Sequence, residues 1–300
     1  MNVRAESRRS RVESRKSAGE ILRSTLVSRL SSAFTLIEML VVLAIMGIIA
    51  AMVVPAIKNF GHSDAMTAAD QQMLGDVARA RQLAMSQRTT VYMVFVPTNF
   101  WVNFNLGTLT AAQLTALTNL CGEQLTGYTF MSYGNVGDQP GQHRWHYLAP
   151  WQTLPDGVFI PLQMFIPGPP ITVVGHNLVS GAVYATYPIA PFSTMNNVAF
   201  PTEDTDPGMA GLPSLPYIAF NYLGQLTTNG VTMAAAHGYI PLAKGAVMAA
   251  LDPTSKAYQF GSPQVHMQDS TNMLNWTNAY NIIDIDPLTG KALLQTPKIQ

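Results

Sequence analysis

One acidic residue, Glu38, stands at the edge of a stretch, Met39 to Ile57, in which 19 consecutive residues carry no charge. As a helix that stretch is ~28 Å long, against a bilayer hydrocarbon core of about 30 Å. It therefore commits the N-terminal part of the chain to a lipid-grade helix and leaves the core of any globular part to later residues. A carboxylate at such an edge is costly, on the order of 2.5–3.5 kcal/mol if drawn to mid-bilayer, so its presence points to function.

Charge is distributed so as to orient that helix. The formal net charge is zero, but residues 1–33 carry eight basic and three acidic side chains. The other 267 residues hold nine basic and 14 acidic groups. A basic segment before a membrane helix stays cytoplasmic, which sends everything after Ile57 to the other side of the membrane. A mildly acidic body lacks the basic face that general nucleic-acid binding needs. Cys121 is the single cysteine. It excludes an intrachain disulfide and a Cys-rich metal site, and reads as a small buried apolar residue.

The segment 1–33 is poor in apolar residues and rich in Ser and Arg, the composition of a disordered leader. Arg8-Arg9 stands too far from the apolar run to serve as a twin-arginine signal. A secretory signal would be cut after the apolar run rather than before it. A start codon assigned too far upstream, with translation beginning near Val27, is one explanation for the leader's length.

Beyond the apolar run the helical pattern continues. Met66, Ala69, Met73, Val77, Ala80 and Ala84 recur at three- and four-residue steps and form one face, with Asp70, Gln71, Arg79, Gln82 and Ser86 mostly off it. Asp76 and Arg79 are spaced to pair. Pro55 removes a backbone donor and predicts a kink, and Gly61 marks a second soft spot. The helix is expected from Phe34 to about Arg88, its membrane half ending at Ile57.

From Thr89 the pattern turns to strands. Thr89 to Val96 is dense in β-branched and aromatic residues and is stopped by Pro97. Trp101–Leu106 reads as its hairpin partner. Thr110–Leu120 reads as a short helix, with a capping box of Thr110 and Gln113 and Gly122 closing it. Residues 97–216 hold 14 of the 20 prolines, which excludes long helices there. Leu154 to Ile160 reads as a tight turn delivering a strand. Further strands are expected at Tyr217–Asn221, Gly245–Leu251 and Ala279–Ile285. Asn229-Gly230 is a hairpin signal, and Asp286 to Gly290 a longer turn before a final strand. The fold class is α+β: a long N-terminal helix packed on an antiparallel β-sheet or sandwich head at 89–300.

The order Ala33-Phe34-Thr35-Leu36-Ile37-Glu38 before an apolar helix resembles the prepilin signal of type IV pilins and type II secretion pseudopilins. There a small residue, usually Gly, precedes the cut and Phe follows it. The resemblance implies cleavage between Ala33 and Phe34 by a prepilin peptidase and N-methylation of Phe34. It also implies assembly with other pilins in a helical filament, where Glu38 meets the new amine of a neighbour. In the body, Asp76 to Met85 with its Ala80-Arg81-x-x-Ala84 pattern and the strand Thr90–Phe95 resemble the minor pseudopilins of the GspH/FimT type. The Leu154-Pro155-x-Gly157-Val158 turn, Tyr217 to Phe220 followed by Gly224, and Ile285, Gly290 and Lys291 fit the same pattern. The prolines of 97–216 imply insertions relative to that branch.

Sites for chemistry are few. The chain has no GxSxG, HExxH, GxGxxG, P-loop or CxxC motif. His143 and His146 are three apart, but Gly141 and Pro150 place them in a loop rather than on a helix presenting two metal ligands. Glu203, Asp204 and Asp206 form an oxygen-rich loop, and the resemblance implies calcium as a candidate ligand there, since major pseudopilins of the related type bind it near their C-terminal loops. The ligand ladder of an EF-hand is missing, and a solvated acidic loop is the simpler reading. Asp284 and Asp286 flank Ile285 on the exposed face of a strand. Trp101, Trp145, Trp151 and Trp276 read as core residues. The resulting expectation is a non-enzymatic assembly subunit without cofactor or metal. A minor type IV pilin for pilus assembly or DNA uptake is the alternative. In the DNA-uptake case the resemblance implies an Arg-rich C-terminal tail, whereas residues 290–298 here offer Lys291 and Lys298 alone.

Overall fold

A computed structural model describes residues 36–134, 137–138, 143–177, 182–267, 280–296 and 298–299, with the side chains of 49–64, 176–177, 184 and 298–299 outside the description. The leader, Ala33, Phe34 and Trp276 fall outside the described residues. The chain divides into two units, 1–58 and 59–300.

The first unit contributes the start of helix α1, which runs Leu36–Gln87 over 52 residues. Its residues 36–48 expose large apolar side chains on all sides, among them Leu36 (83%), Leu43 (68%) and Met46 (63%). Among the described residues no helix is long and apolar enough to cross a membrane. Pro55 and Gly61 lie within the backbone of α1, in the stretch whose side chains are not described.

The second unit is built on a seven-stranded sheet. Its strands are β1 (Val91–Phe95), β2 (Gly127–Tyr133), β3 (Trp145–Tyr147), β4 (Gln152–Thr153), β8 (Ser193–Met195), β9 (Leu215–Phe220) and β10 (Leu226–Thr227). The order is β10-β9-β1-β2-β3, with β4 also on β2 and β8 also on β9. All of these pairings are antiparallel. The expected partner of β1, Trp101–Leu106, is not a strand. Phe100 and Phe104 turn inward there and fill a core cluster, while β2 and β9 take the two edges of β1. That exchange makes β1 a central strand, and both its faces are apolar for that reason.

A second sheet has the order β12-β11-β13-β14: β11 (Gly238–Met248), β12 (Gln264–Met267), β13 (Tyr280–Ile285) and β14 (Ala292–Gln295), with β5 (Val158–Phe159) also on β11. The strand expected at Gly245–Leu251 thus starts earlier, at Gly238. A third sheet joins β6 (Ile171–Asn177) to β7 (Val183–Ile189) antiparallel and to β15 (Lys298–Ile299) parallel, a departure from the antiparallel expectation.

Two local expectations hold in detail. Helix α2, Ala111–Leu120, begins at a capping box in which Thr110 and Gln113 bond reciprocally. The β13–β14 turn closes on Asp286, whose carboxylate accepts from the amide and hydroxyl of Thr289, with Gly290 at φ +62. Gly122 does not close α2 through a left-handed residue. A Cβ there would stand 2.5 Å from the ring of Tyr258, an exposed side chain that would have to move aside.

Two apolar clusters sandwich the seven-stranded sheet. Val91, Met93 and Phe95 of β1 point into one, with Ala69, Met73, Val77, Ala80 and Ala84 of α1 and with Ile240, Leu242, Ile283 and Ile285 of the second sheet. Val94 points the other way, with Val96, Leu117, Leu120 and Cys121 of the α2 side. The period of two along β1 and of three to four along α1 are the two signals that meet in the first cluster.

Candidate functional site

Of the residues that the sequence marks for processing and assembly, Glu38 and Pro55 fall on helix α1, so the site is built along that helix. Glu38 lies in its first turn, is exposed, and is the acidic residue of that turn. A carboxylate near a helix N-terminus complements the partial positive charge of the unsatisfied amides, so Glu38 is compatible with the helix it begins. Around it the side chains are apolar on every face, a pattern that needs lipid or other helices as its surroundings.

The second half of the helix is fixed by polar contacts as well as by the apolar stripe. Arg81 Nε donates to the Thr289 carbonyl at 2.7 Å. Gly290 and Gly224, both at positive φ, let their turns approach this point: a Cβ on Gly290 would meet the Gly224 carbonyl at 2.0 Å, and one on Gly224 would meet Met85 at 2.9 Å. The Ala-Arg-x-x-Ala segment, Gly224 and Gly290, distant in sequence, therefore form one junction between helix and turns. Asp76 accepts from the Tyr128 hydroxyl, which itself accepts from Gln72 Nε2 at 2.7 Å. Burial, followed by the neighbouring Asp76 carboxylate, holds the Tyr128 phenol above its ordinary range. Arg79 does not pair with Asp76; its guanidinium lies 5.6 Å over the ring of Phe130.

Asp70 was expected off the apolar face and is instead 4% exposed. Asn281 Nδ2 donates to its Oδ2 at 2.6 Å, while Oδ1 is buried without a hydrogen-bond partner. Burial raises its pKa, and the Asn281 bond opposes that in part. Sequence periodicity did not find this residue, because a buried carboxylate is visible only once the strand that covers it is known.

The other candidates resolve into structural roles. His143 and His146 do not converge: His143 packs on the ring of Tyr133. His146 bridges two carboxylates, Nδ1 to Glu203 at 2.9 Å and Nε2 to Asp138 at 3.2 Å. Desolvation opposes its charge, but the bonds to Glu203 and Asp138 outweigh that and raise its pKa. Glu203 is thereby a partner of β3 rather than a free member of the acidic loop, and Asp206 accepts from the Gly208 amide. Among the described residues no group of three His, Cys, Asp or Glu side chains is placed to hold a metal ion. Asp284 Oδ1 accepts from His237 Nδ1 at 2.6 Å, and Asp286 serves the turn described above. Backbone and side-chain bonds from Thr289 hold its pKa below the ordinary range. Trp145 donates to the Asn197 carbonyl, and Trp101 and Trp151 pack on Phe100 and Phe200. Cys121 is buried, which pushes its thiol up to about 12 and leaves it inert.

A family model, the prokaryotic N-terminal methylation motif, matches residues 28–54. That match spans the small-Phe junction, Glu38 and most of the apolar run, and supports a type IV pilin or pseudopilin signal in this chain. No curated protein and no solved structure matches it.

Proposed function

We propose that the chain is a minor pseudopilin of a type II secretion system, a non-enzymatic subunit of the GspH/FimT type that takes part in filament assembly and protein secretion. The observation that carries this reading is the methylation motif at 28–54 leading into a helix whose residues 36–48 are apolar and exposed all round. Prepilin peptidase cuts between Ala33 and Phe34, and Phe34 is N-methylated. The run through Ile57 anchors the subunit in the inner membrane as a single pass, with 89–300 in the periplasm and Pro55 as the kink. On assembly the helix leaves lipid for a bundle of its neighbours, and Glu38 neutralises the amine of an adjacent Phe34 within an apolar surround, where an unpaired charge costs several kcal/mol.

Mass spectrometry of the protein recovered from cells with an active peptidase tests the processing. The expected N-terminus is methylated Phe34; a leader still attached in those cells overturns the reading. Deletion of the gene in the native host then separates secretion from piliation, the expected loss being of exported protein in the medium with surface pili retained.

A further inference from the structure

A cleft of about 650 Å³ opens where the two larger sheets meet, away from helix α1's junction. Its floor is the turn after α2. That turn is tied to both sheets: the Leu125 amide donates to the Val96 carbonyl, and the Leu125 carbonyl accepts from the Ile160 amide. Leu125 holds φ +65, a strained value for a residue with a branched side chain, and it is fully buried.

One wall of the cleft is an open strand edge. At Ala243, β13 and β5 stand on opposite edges of β11. The Gly245 amide donates to the Gly157 carbonyl on the β5 edge, so β12, whose Met267 faces Gly245, takes the edge that β13 takes. Backbone groups alternate between edges along a strand. Residues 241, 243, 245 and 247 therefore direct theirs toward the β5 edge, and Pro241, which has no amide to offer β13, obeys that parity. Strand β5 spans only Val158–Phe159 and the chain turns away at Gly157. Beyond it, the N–H and C=O of Val247 face the cleft, and among the described residues no strand covers them.

The opposite wall is anionic. Glu123 and Asp156 line the cleft with Thr126, Thr153 and Tyr258, and no Lys, Arg or His is among the described lining residues. Glu123 Oε2 is buried and has no hydrogen-bond partner. We propose that this cleft receives an extended segment of a partner protein that carries a lysine or arginine, its backbone adding as a strand at Val247 and its cation meeting Glu123 and Asp156. Strand addition supplies the backbone bonds that the open edge lacks, and the carboxylates select the side chain that projects toward them. Burial pushes Glu123 up to about 7, so an arriving cation must displace a proton from it below that pH. Asp156 from the β4–β5 turn and Tyr258 from the segment after β11 are the other titratable groups facing it, and neither supplies a positive charge. This site does not depend on the assembly reading.

Fluorescence anisotropy on the full chain in non-ionic detergent tests it, with a fluorescein-labelled peptide of alternating Thr and Lys and its Thr and Glu counterpart as probes at low salt. The Lys peptide binds and the Glu peptide does not, and binding strengthens from about pH 6 to about pH 8. Glu123→Gln weakens it about tenfold. Val247→Pro, which removes the amide of the open edge while leaving the β12 edge intact, abolishes it with unchanged circular dichroism. Should that variant misfold, Asp156→Asn on the exposed rim takes its place, with a smaller loss expected. Absence of Lys-peptide binding, equal binding of both peptides, or undiminished binding by Glu123→Gln overturns the proposal.

Discussion

The two described halves of helix α1 are the same element in opposite surroundings. Residues 36–48 are apolar on every face and exposed, with one carboxylate in the first turn. Residues 65–87 carry a single apolar stripe, and that stripe is fully buried from Ala69 to Ala84. A stripe is what a sheet can cover; an all-round apolar surface demands a partner on every side. The comparison teaches that the helix is two devices in series. One is complete within the chain, and the other is completed only by lipid or by further helices.

The strongest test of this division is a charge placed in each half. Met73→Asp puts a carboxylate into the first core cluster, where the side chain is 0% exposed, and should cost on the order of 4 kcal/mol or more. Near-UV circular dichroism should then show the tertiary signal lost at ambient temperature. A cooperative transition near that of the wild type would mean that the stripe is not the seat of the helix.

Glu38→Ala acts in the other half and should leave that transition unchanged, since Glu38 belongs to the first unit and the core clusters are built from residues of the second. Removing a charge that lipid penalises should leave membrane insertion intact. Incorporation into sheared filaments should fall severely when the variant is co-expressed with the assembly machinery. Immunoblotting of sheared and cell fractions checks this, and wild-type incorporation would show that the carboxylate serves no pairing.

The smallest effect is expected at Asp70, which sharpens the account of how the second half is held. Its folded-state pKa lies above the ordinary 3.8, so the folded state binds the proton more tightly than the unfolded state does. Its contribution to stability is therefore present below about pH 3.8 and is lost as pH rises through the raised value. Asp70→Asn should be more stable than wild type at neutral pH, by on the order of 1 kcal/mol, with the difference shrinking on acidification. Urea midpoints at several pH values measure it. A variant that is less stable at neutral pH would mean that the Asn281 bond outweighs the cost of burying the charge.

Legibility followed the range of the physical signal. The capping box of α2 was readable because Thr110 and Gln113 are three residues apart and satisfy each other. The Asp286 turn was readable for the same reason. The partner of β1 was misplaced at Trp101–Leu106, because an aromatic run of that length suits a strand and a loop whose rings turn inward equally well. Gly127–Tyr133, the true neighbour, is separated from β1 by helix α2, and no local pattern announces a pairing across that distance. The spacing of His143 and His146 argued only against a metal pair; that His146 clasps Glu203 and Asp138, brought to it by two different loops, was not legible.

By itself the sequence determined the helix, its two kinds of surface, the placement of Glu38 at the start of the apolar run, and the glycines of the turns. These follow from periodicity, charge and backbone freedom, all of which act over a few residues. Only the tertiary structure decided that Gly224 and Gly290 meet beside Arg81, that Asp70 is buried under Asn281, and that β5 stops short and leaves Val247 facing a carboxylate-lined cleft. Those arrangements depend on which strands lie side by side. That choice is set by the summed burial of two apolar clusters across the whole chain, and no single segment carries it.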